Sequence, residues 1–293
     1  MKKIVTALLA ALLLFCAAAC TDAPAKPEDG TFRVTATFYP IWVMAANVVD
    51  GVDGVELTLL APPQTGCLHN YQLLPKDMRT LSDTDLLLIN GAGMEPFMAK
   101  VAENYKDLPV VDTSEGLALM ADGEETNPHV WLDPANAVKQ TRALADALTK
   151  ALPEKAEQLQ ANADAYTAKL EALSGEVTEA LSGLSCRKMV TSHDAFDYFA
   201  AAFELEIAAV IQSDEEAEPS AQKVAEITAL MTEEKIPAVF TEPDTTTEAP
   251  GVIAKEAGAK VIVLDPLTTG ELDAEAYEKA MRANAAAIAE GMK

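Results

Sequence analysis

Basic residues are scarce in this chain: 22 Lys and Arg stand against 46 Asp and Glu, a formal net charge of -24. Nucleic acid is excluded as a partner on that count, because a phosphate backbone must be met by Lys and Arg. An acidic surface keeps a protein soluble and concentrates cations around it without choosing among them. Cysteine is nearly as rare. Beyond Cys16 and Cys20 there are only Cys67 and Cys186, too few for a dense disulfide framework. No apolar run beyond the first twenty residues approaches the length needed to span a bilayer. The motifs of common catalytic machinery are also missing, with no HExxH helix, no Gly-x-Ser-x-Gly elbow and no phosphate-cradling loop. Histidine occurs three times in 293 residues, so the position of each one is informative.

The opening segment reads as a leader. Lys2 and Lys3 precede an apolar stretch from Ile4 to Phe15, and Ala17-Ala18-Ala19 then lead to Cys20. The stretch is too short to span a bilayer stably and has the layout of a secretory signal. A Cys directly after small residues resembles a bacterial lipoprotein cleavage box. Cys16 fits worse, since Leu13, Leu14 and Phe15 before it are bulky. Residues 1–19 are therefore expected to be removed, and 20–30 to form a flexible tether lipid-anchored at Cys20. The expected location is the outer face of a bacterial cytoplasmic membrane.

Beyond the tether, two halves follow one plan. Strand-like runs in the first are Phe32–Phe38, Val55–Ala61, Leu86–Asn90 and Val110–Asp112; in the second, Lys188–Thr191, Ile207–Gln212, Ala238–Thr241 and Val261–Leu264. Helical patterns separate them at Ile41–Val49, Lys76–Leu81 and 96–104, then at Ala195–Phe203, Ser220–Glu233 and Ala249–Ala257. Short, almost wholly apolar strands alternating with helices predict an α/β fold with a parallel sheet in each half. The expected limits are 31–134 for the first lobe and 185–293 for the second. Between them, 135–184 carries no strand signal. Pro153 divides it, and Ala156, Leu159, Ala163, Tyr166, Leu170 and Leu173 keep helical spacing, which predicts a connecting helix of about 40 Å over Pro153–Leu181.

All three histidines fall beyond the carboxyl ends of these strands, where open α/β sheets place their ligand sites. His69 lies in the loop after the second strand and His129 after the fourth. His193 follows the first strand of the second half, and Asp265 follows its fourth. Three imidazoles and a carboxylate make a nitrogen–oxygen shell suited to Zn²⁺, and Mn²⁺ accepts the same atoms while preferring more oxygen. Asp133, Asp194 and Glu242 are positioned either to hold these imidazoles by hydrogen bonds or to cap helices. Cys67 is open to three readings: a soft metal ligand, a disulfide partner of Cys186, or a buried thiol. Cys186 lies a strand's length before His193, which weighs against the disulfide. A zinc hydrolase is the rival class, but a fourth protein ligand closes the position that catalytic water needs. A surface adhesin whose metal serves only stability is another alternative.

Around these positions, Thr37-Phe38-Tyr39-Pro40, Pro75-Lys76-Asp77, the run from Asn127 to Pro134, Ser192-His193-Asp194-Ala195-Phe196, Glu216-Ala217-Glu218-Pro219-Ser220 and Leu264-Asp265-Pro266-Leu267 resemble the zinc/manganese-binding family of solute-binding lipoproteins of ABC metal importers. The likeness runs through essentially the whole chain after the leader. It implies two (β/α)₄ lobes joined by one long backbone helix and one metal ion buried in the cleft between them. It also implies no enzymatic activity, a monomer, and delivery of the ion to a membrane permease. The ligand positions it implies are His69, His129, His193 and Asp265. Manganese-specific members often carry a carboxylate where His193 stands, so the resemblance favours Zn²⁺. Two departures stand out. The stretch Gly66–Tyr71 is one residue longer than the family's pattern around the first histidine. Asp122, Glu124 and Glu125 occupy the place of the His-rich loop of some zinc-specific members.

Overall fold

In a computed structural model of the chain, the described residues are 29–122, 125–212, 218–243 and 245–293. The leader, Cys16, Cys20 and most of the tether lie outside them. Leu86-Leu87-Leu88-Ile89 is buried at every position and so is Ala238–Thr241, as strands covered on both faces must be. Each lies beside the first strand of its half. The first sheet consists of β1 (Phe32–Ala36), β2 (Val55–Leu59), β3 (Leu86–Ile89) and β4 (Val110–Asp112), in the order β2-β1-β3-β4. A two-stranded hairpin follows, β5 (Ala121–Asp122) with β6 (Glu125–Thr126). The second sheet consists of β7 (Lys188–Thr191), β8 (Glu206–Val210), β9 (Ala238–Thr241) and β10 (Lys260–Val263), in the order β10-β9-β7-β8. Every pairing within the two sheets is parallel. Numbered from the start of each half, both sheets run 2-1-3-4, so the repeated plan extends to topology.

The helices between strands are α1 (Tyr39–Val48), α2 (Pro75–Asp83) and α3 (Met98–Asn104) in the first half. In the second half they are α6 (Asp197–Ala202), α7 (Ala221–Glu234) and α8 (Ala249–Ala257). Each observed strand overlaps its expected run, with ends shifted by at most a few residues. The connection contains two helices, α4 (Pro134–Ala151) and α5 (Ala156–Leu181). Pro153 opens a 3₁₀ turn, Pro153–Lys155, so the long helix proper starts at Ala156. Its 26 residues span about 39 Å. Leu159, Ala163, Tyr166, Leu170, Leu173, Val177 and Leu181 form its buried face.

The alternation of strands and helices leaves one helix unmarked, α9 (Ala276–Gly291). Its buried positions are Tyr277, Glu278, Ala280, Met281, Asn284, Ala285, Ile288, Ala289 and Gly291, mostly small or polar, which gives a weak apolar stripe. This helix matters to the architecture, because α5 packs on α1 of the first half and on α9 of the second. Asn162 Nδ2 donates to the carbonyls of Val48 (3.0 Å) and Asp50 (2.9 Å), and Arg282 Nε pairs with Glu176 at 2.6 Å. Residues 31–293 form one compact unit; one apolar cluster runs through both sheets, including Phe38, Trp131, Phe196, Leu264 and Tyr277, and a smaller one in the second half holds Val190, Val239, Ile227 and Ile253. Among the described residues, no helix is long and apolar enough to cross a membrane. Leu170 is fully buried in the middle of α5. Its truncation in Leu170→Ala is expected to lower unfolding stability by about 2–5 kcal/mol, read as a reduced midpoint in urea.

Candidate metal centre

His129 is fully buried at the start of the 3₁₀ turn Val130–Leu132, and its surroundings fix its chemistry. Asn127, two residues earlier, accepts the His129 backbone N–H through Oδ1 at 3.0 Å, and the same oxygen lies 2.9 Å from His129 Nδ1. The amide orientation of Asn127 follows from its other end. Its Nδ2 donates to the carbonyl of Asp194 and to Asp197 Oδ2, each at 2.9 Å, and both are pure acceptors. Oδ1 must therefore face the imidazole, which assigns the proton to Nδ1 and leaves Nε2 with its lone pair. Nε2 lies 3.5 Å from Cys67 Sγ. Nothing in composition marks Asn127 for this role; its place two residues before a histidine, where an Asx side chain meets the backbone, is the available signal.

The other two rings gather around His129. Its centroid is 5.8 Å from that of His69 and 5.0 Å from that of His193. His193 follows β7 and is oriented by two carboxylates: Nδ1 lies 3.0 Å from Glu242 Oε1, and Nε2 lies 3.0 Å from Asp194 Oδ1. Glu242 follows β9, so the parallel neighbours β7 and β9 present the pair together. Two carboxylates against one ring make this a place for a cation. Asp133 has the other of its two expected roles. It caps α4 by accepting the Ala135 N–H at 2.8 Å, ahead of Pro134 in the first turn. Among the described residues Cys67 and Cys186 form no disulfide, which removes that reading; Cys186 Sγ sits near the Lys188 carbonyl instead.

Asp265 is held from two sides. Its backbone N–H donates to Asn284 Oδ1 at 2.8 Å, and Asn284 Nδ2 returns to its carbonyl at 2.7 Å. Its Oδ1 accepts the N–H of Leu267 at 2.7 Å, and Leu267 has the left-handed φ of 62°. Such a backbone in a non-glycine residue costs about 1–3 kcal/mol and persists where its surroundings over-determine it. Burial raises the Asp265 carboxyl above the usual range, with the Leu267 hydrogen bond acting against it. Between these two residues, the Pro266 carbonyl accepts from Trp131 Nε1 at 2.8 Å, and the Tyr277 hydroxyl donates to the Trp131 carbonyl at 2.7 Å. Trp131 in turn lies 5.3 Å from the His129 ring, centroid to centroid. The Asp265 turn is thus tied to the His129 turn across the two halves. Asn284 belongs to the helix that the strand–helix alternation leaves unmarked.

Beneath His129 lies a buried polar support. Glu95 accepts from Thr37 Oγ1 (2.7 Å), Asn90 N (2.7 Å) and Gly91 N (3.0 Å), while Asn90 Nδ2 donates to the Pro128 carbonyl at 2.9 Å. Burial raises Glu95 to about 7 even though the three donors favour its charged form. Of the acidic turn 122–125, the backbone pairs as the β5–β6 hairpin; Gly123 and Glu124 lie outside the described residues.

Comparison with known proteins defines the class. The profile of the family described as "ZnuA: Zinc-uptake complex component A periplasmic" matches residues 34–291, and the chain belongs to that family. The family is a solute-binding component of metal uptake and not a family of enzymes. The chain is 31% identical over 284 residues to "Zinc-binding lipoprotein AdcA" of Streptococcus pneumoniae serotype 4, covering 91% of this chain and 56% of that protein. It thus spans a little over half the length of such streptococcal relatives. Its fold is similar to the crystal structure of ZnuA, with a TM-score of 0.80, 27% identity and coverage of 90% of this chain and 100% of the other. It is equally similar in fold to FpvC of Pseudomonas aeruginosa in complex with Mn²⁺, with a TM-score of 0.80, 25% identity and coverage of 89% and 98%.

Two substitutions separate support from capping. Asn127→Ala releases the His129 tautomer and is expected to weaken Zn²⁺ binding by about 10–100-fold in a competition titration. Asp133→Ala removes a helix cap and is expected to cost about 1 kcal/mol of stability in urea, with zinc affinity unchanged.

Proposed function

We propose that this chain captures one transition-metal ion per molecule outside the cytoplasm, Zn²⁺ in preference to Mn²⁺, and delivers it to the permease of an ABC importer. The proposed donors are His69, His129, His193 and Asp265. The observation that carries the reading is the gathering of three imidazoles from both halves around the buried His129, at 5.8 Å and 5.0 Å between ring centroids. Membership of a zinc-uptake family supports it, and so does the zinc-binding name of the streptococcal relative. The Mn²⁺-bound neighbour shows that the fold accepts other ions, so the preference for zinc rests on the three imidazoles. A lipid anchor at Cys20 keeps the protein at the outer face of the cytoplasmic membrane, where it acts as a monomer.

Capture exchanges the hydration shell of the ion for protein donors. His129 offers Nε2 because Asn127 holds its Nδ1. His193 keeps Nδ1 on Glu242 and turns Nε2 from Asp194 to the ion. Asp265 supplies charge. Docking on the permease reverses the exchange.

Purified protein is expected to carry a stoichiometric metal by elemental analysis, and His129→Ala to lose it, with affinity falling by about 100-fold or more. Retention of full stoichiometry in His129→Ala would reject the site. The sign of the pH effect is also fixed. Imidazoles must be neutral and Asp265 ionised, and burial makes Asp265 hold its proton to higher pH than an ordinary aspartate. Affinity should therefore fall steadily from about pH 7.5 to about pH 5, and a flat profile counts against the three-histidine site. At zinc about 100-fold above Kd, the loaded form should be more stable than the stripped form by about 2.7 kcal/mol, seen as a higher Tm.

A further inference from the structure

We propose that Cys67 is a direct ligand of the captured ion, so that the site selects thiophilic divalent cations such as Zn²⁺ and disfavours Mn²⁺. The inference rests on the capture reading above and adds a donor to it. Among the described residues, Cys67, His69 and His129 are the one group of three or more such side chains whose ligand atoms all lie within 4.8 Å of one another. Within that group, Cys67 Sγ and His129 Nε2 are 3.5 Å apart. With Zn–S near 2.3 Å and Zn–N near 2.0–2.1 Å, a tetrahedral angle separates sulfur and nitrogen by about 3.6 Å. The observed separation thus has the length of one edge of a tetrahedral zinc site. The direction is right as well, because Asn127 occupies Nδ1 and leaves the lone pair of Nε2 on the sulfur side.

The loop explains how the two neighbours come to share a side. Gly66 takes the left-handed φ of 77°, and Leu68 is fully buried with its N–H against Met94 Sδ at 3.4 Å. With Leu68 anchored inward, Cys67 and His69 flank it and bring their donor atoms together. Cys67 also lines the cleft with Asn70, Ser192, His193, Glu242 and Thr268, where an arriving ion meets it. On binding, a metal–sulfur bond forms, the S–H bond breaks and its proton passes to water. Thiolate suits Zn²⁺, whereas Mn²⁺ favours carboxylate, carbonyl and water oxygen, so the added donor widens the gap between the two ions.

Cobalt(II) loading of the full chain tests this, since thiolate ligation produces an intense sulfur-to-cobalt charge-transfer absorption in the near ultraviolet. The expected result is that band in the wild type, its retention in Cys186→Ser, and its loss in Cys67→Ser with cobalt still bound. Competition should show the Zn²⁺ over Mn²⁺ preference of Cys67→Ser reduced by about tenfold or more. Stoichiometric cobalt without the band in the wild type, or a band that survives Cys67→Ser, overturns the ligand while leaving the capture reading intact. Failure of the wild type to bind cobalt or zinc at all overturns both. The wild-type spectrum decides the ligation even where Cys67→Ser fails to fold.

Discussion

The side chain of Asn127 is committed at both ends, and the centre depends on that commitment. Its donor end is held by the second half, through the Asp194 carbonyl and the Asp197 carboxylate, and its acceptor end fixes the imidazole of His129. Because an amide has distinguishable ends, joining the two halves and choosing the histidine tautomer become a single event. A hydroxyl in its place can rotate, and a carboxylate would set a negative charge against Asp197, which burial already pushes up. Tyr198, whose hydroxyl donates to the Asn127 carbonyl, completes the frame. The Nε2 lone pair of His129 is therefore set only when the halves stand in this relation.

Charge works at two ranges around this frame. The net charge of -24 raises the local concentration of every cation and distinguishes none of them, and salt screens it over about 10 Å. Discrimination has to arise within the centre, from donor chemistry and from carboxylates placed by the fold. Glu242 and Asp194 act there by gripping the His193 ring, and Asp265 by sitting in a turn that its own oxygen braces against an unfavourable Leu267 backbone. Burial raises the Asp265 carboxyl above the usual range, and the hydrogen bond from Leu267 acts against that shift.

The sheets were legible in the sequence because strands covered on both faces become nearly continuous apolar runs, as Leu86–Ile89 and Ala238–Thr241 show. The positions of His69, His129 and His193 beyond strand ends were legible for the same reason, since topology puts those ends together. The partners were not. Asp133 and Glu242 look alike in sequence, yet one caps a helix and the other orients a ring, and that difference lies in which strands neighbour each other. Helix α9 was hidden because its buried positions mix Glu278, Asn284, Gly291 and three alanines with Tyr277, Met281 and Ile288, and the support it gives to Asp265 was hidden with it. Around Cys67, sequence left three readings open, and only the placement of Leu68 inward brought the sulfur beside His129.

The long connection bears on how such a centre can open. Helix α5 is packed by α1 on one side and α9 on the other, and one apolar cluster continues through both sheets. A wide hinge motion would strip Trp131 and Tyr277 from that cluster and break their hydrogen bonds to Pro266 and Trp131. Exposing one large aromatic side chain alone costs several kcal/mol. Displacing the Gly66–Tyr71 loop moves two of the proposed donors, but it also draws Leu68 out of the same cluster, where that side chain is fully buried. The shared core therefore resists both motions, and Leu68 ties the loop that carries Cys67 and His69 to the same cluster that holds Trp131 and Tyr277.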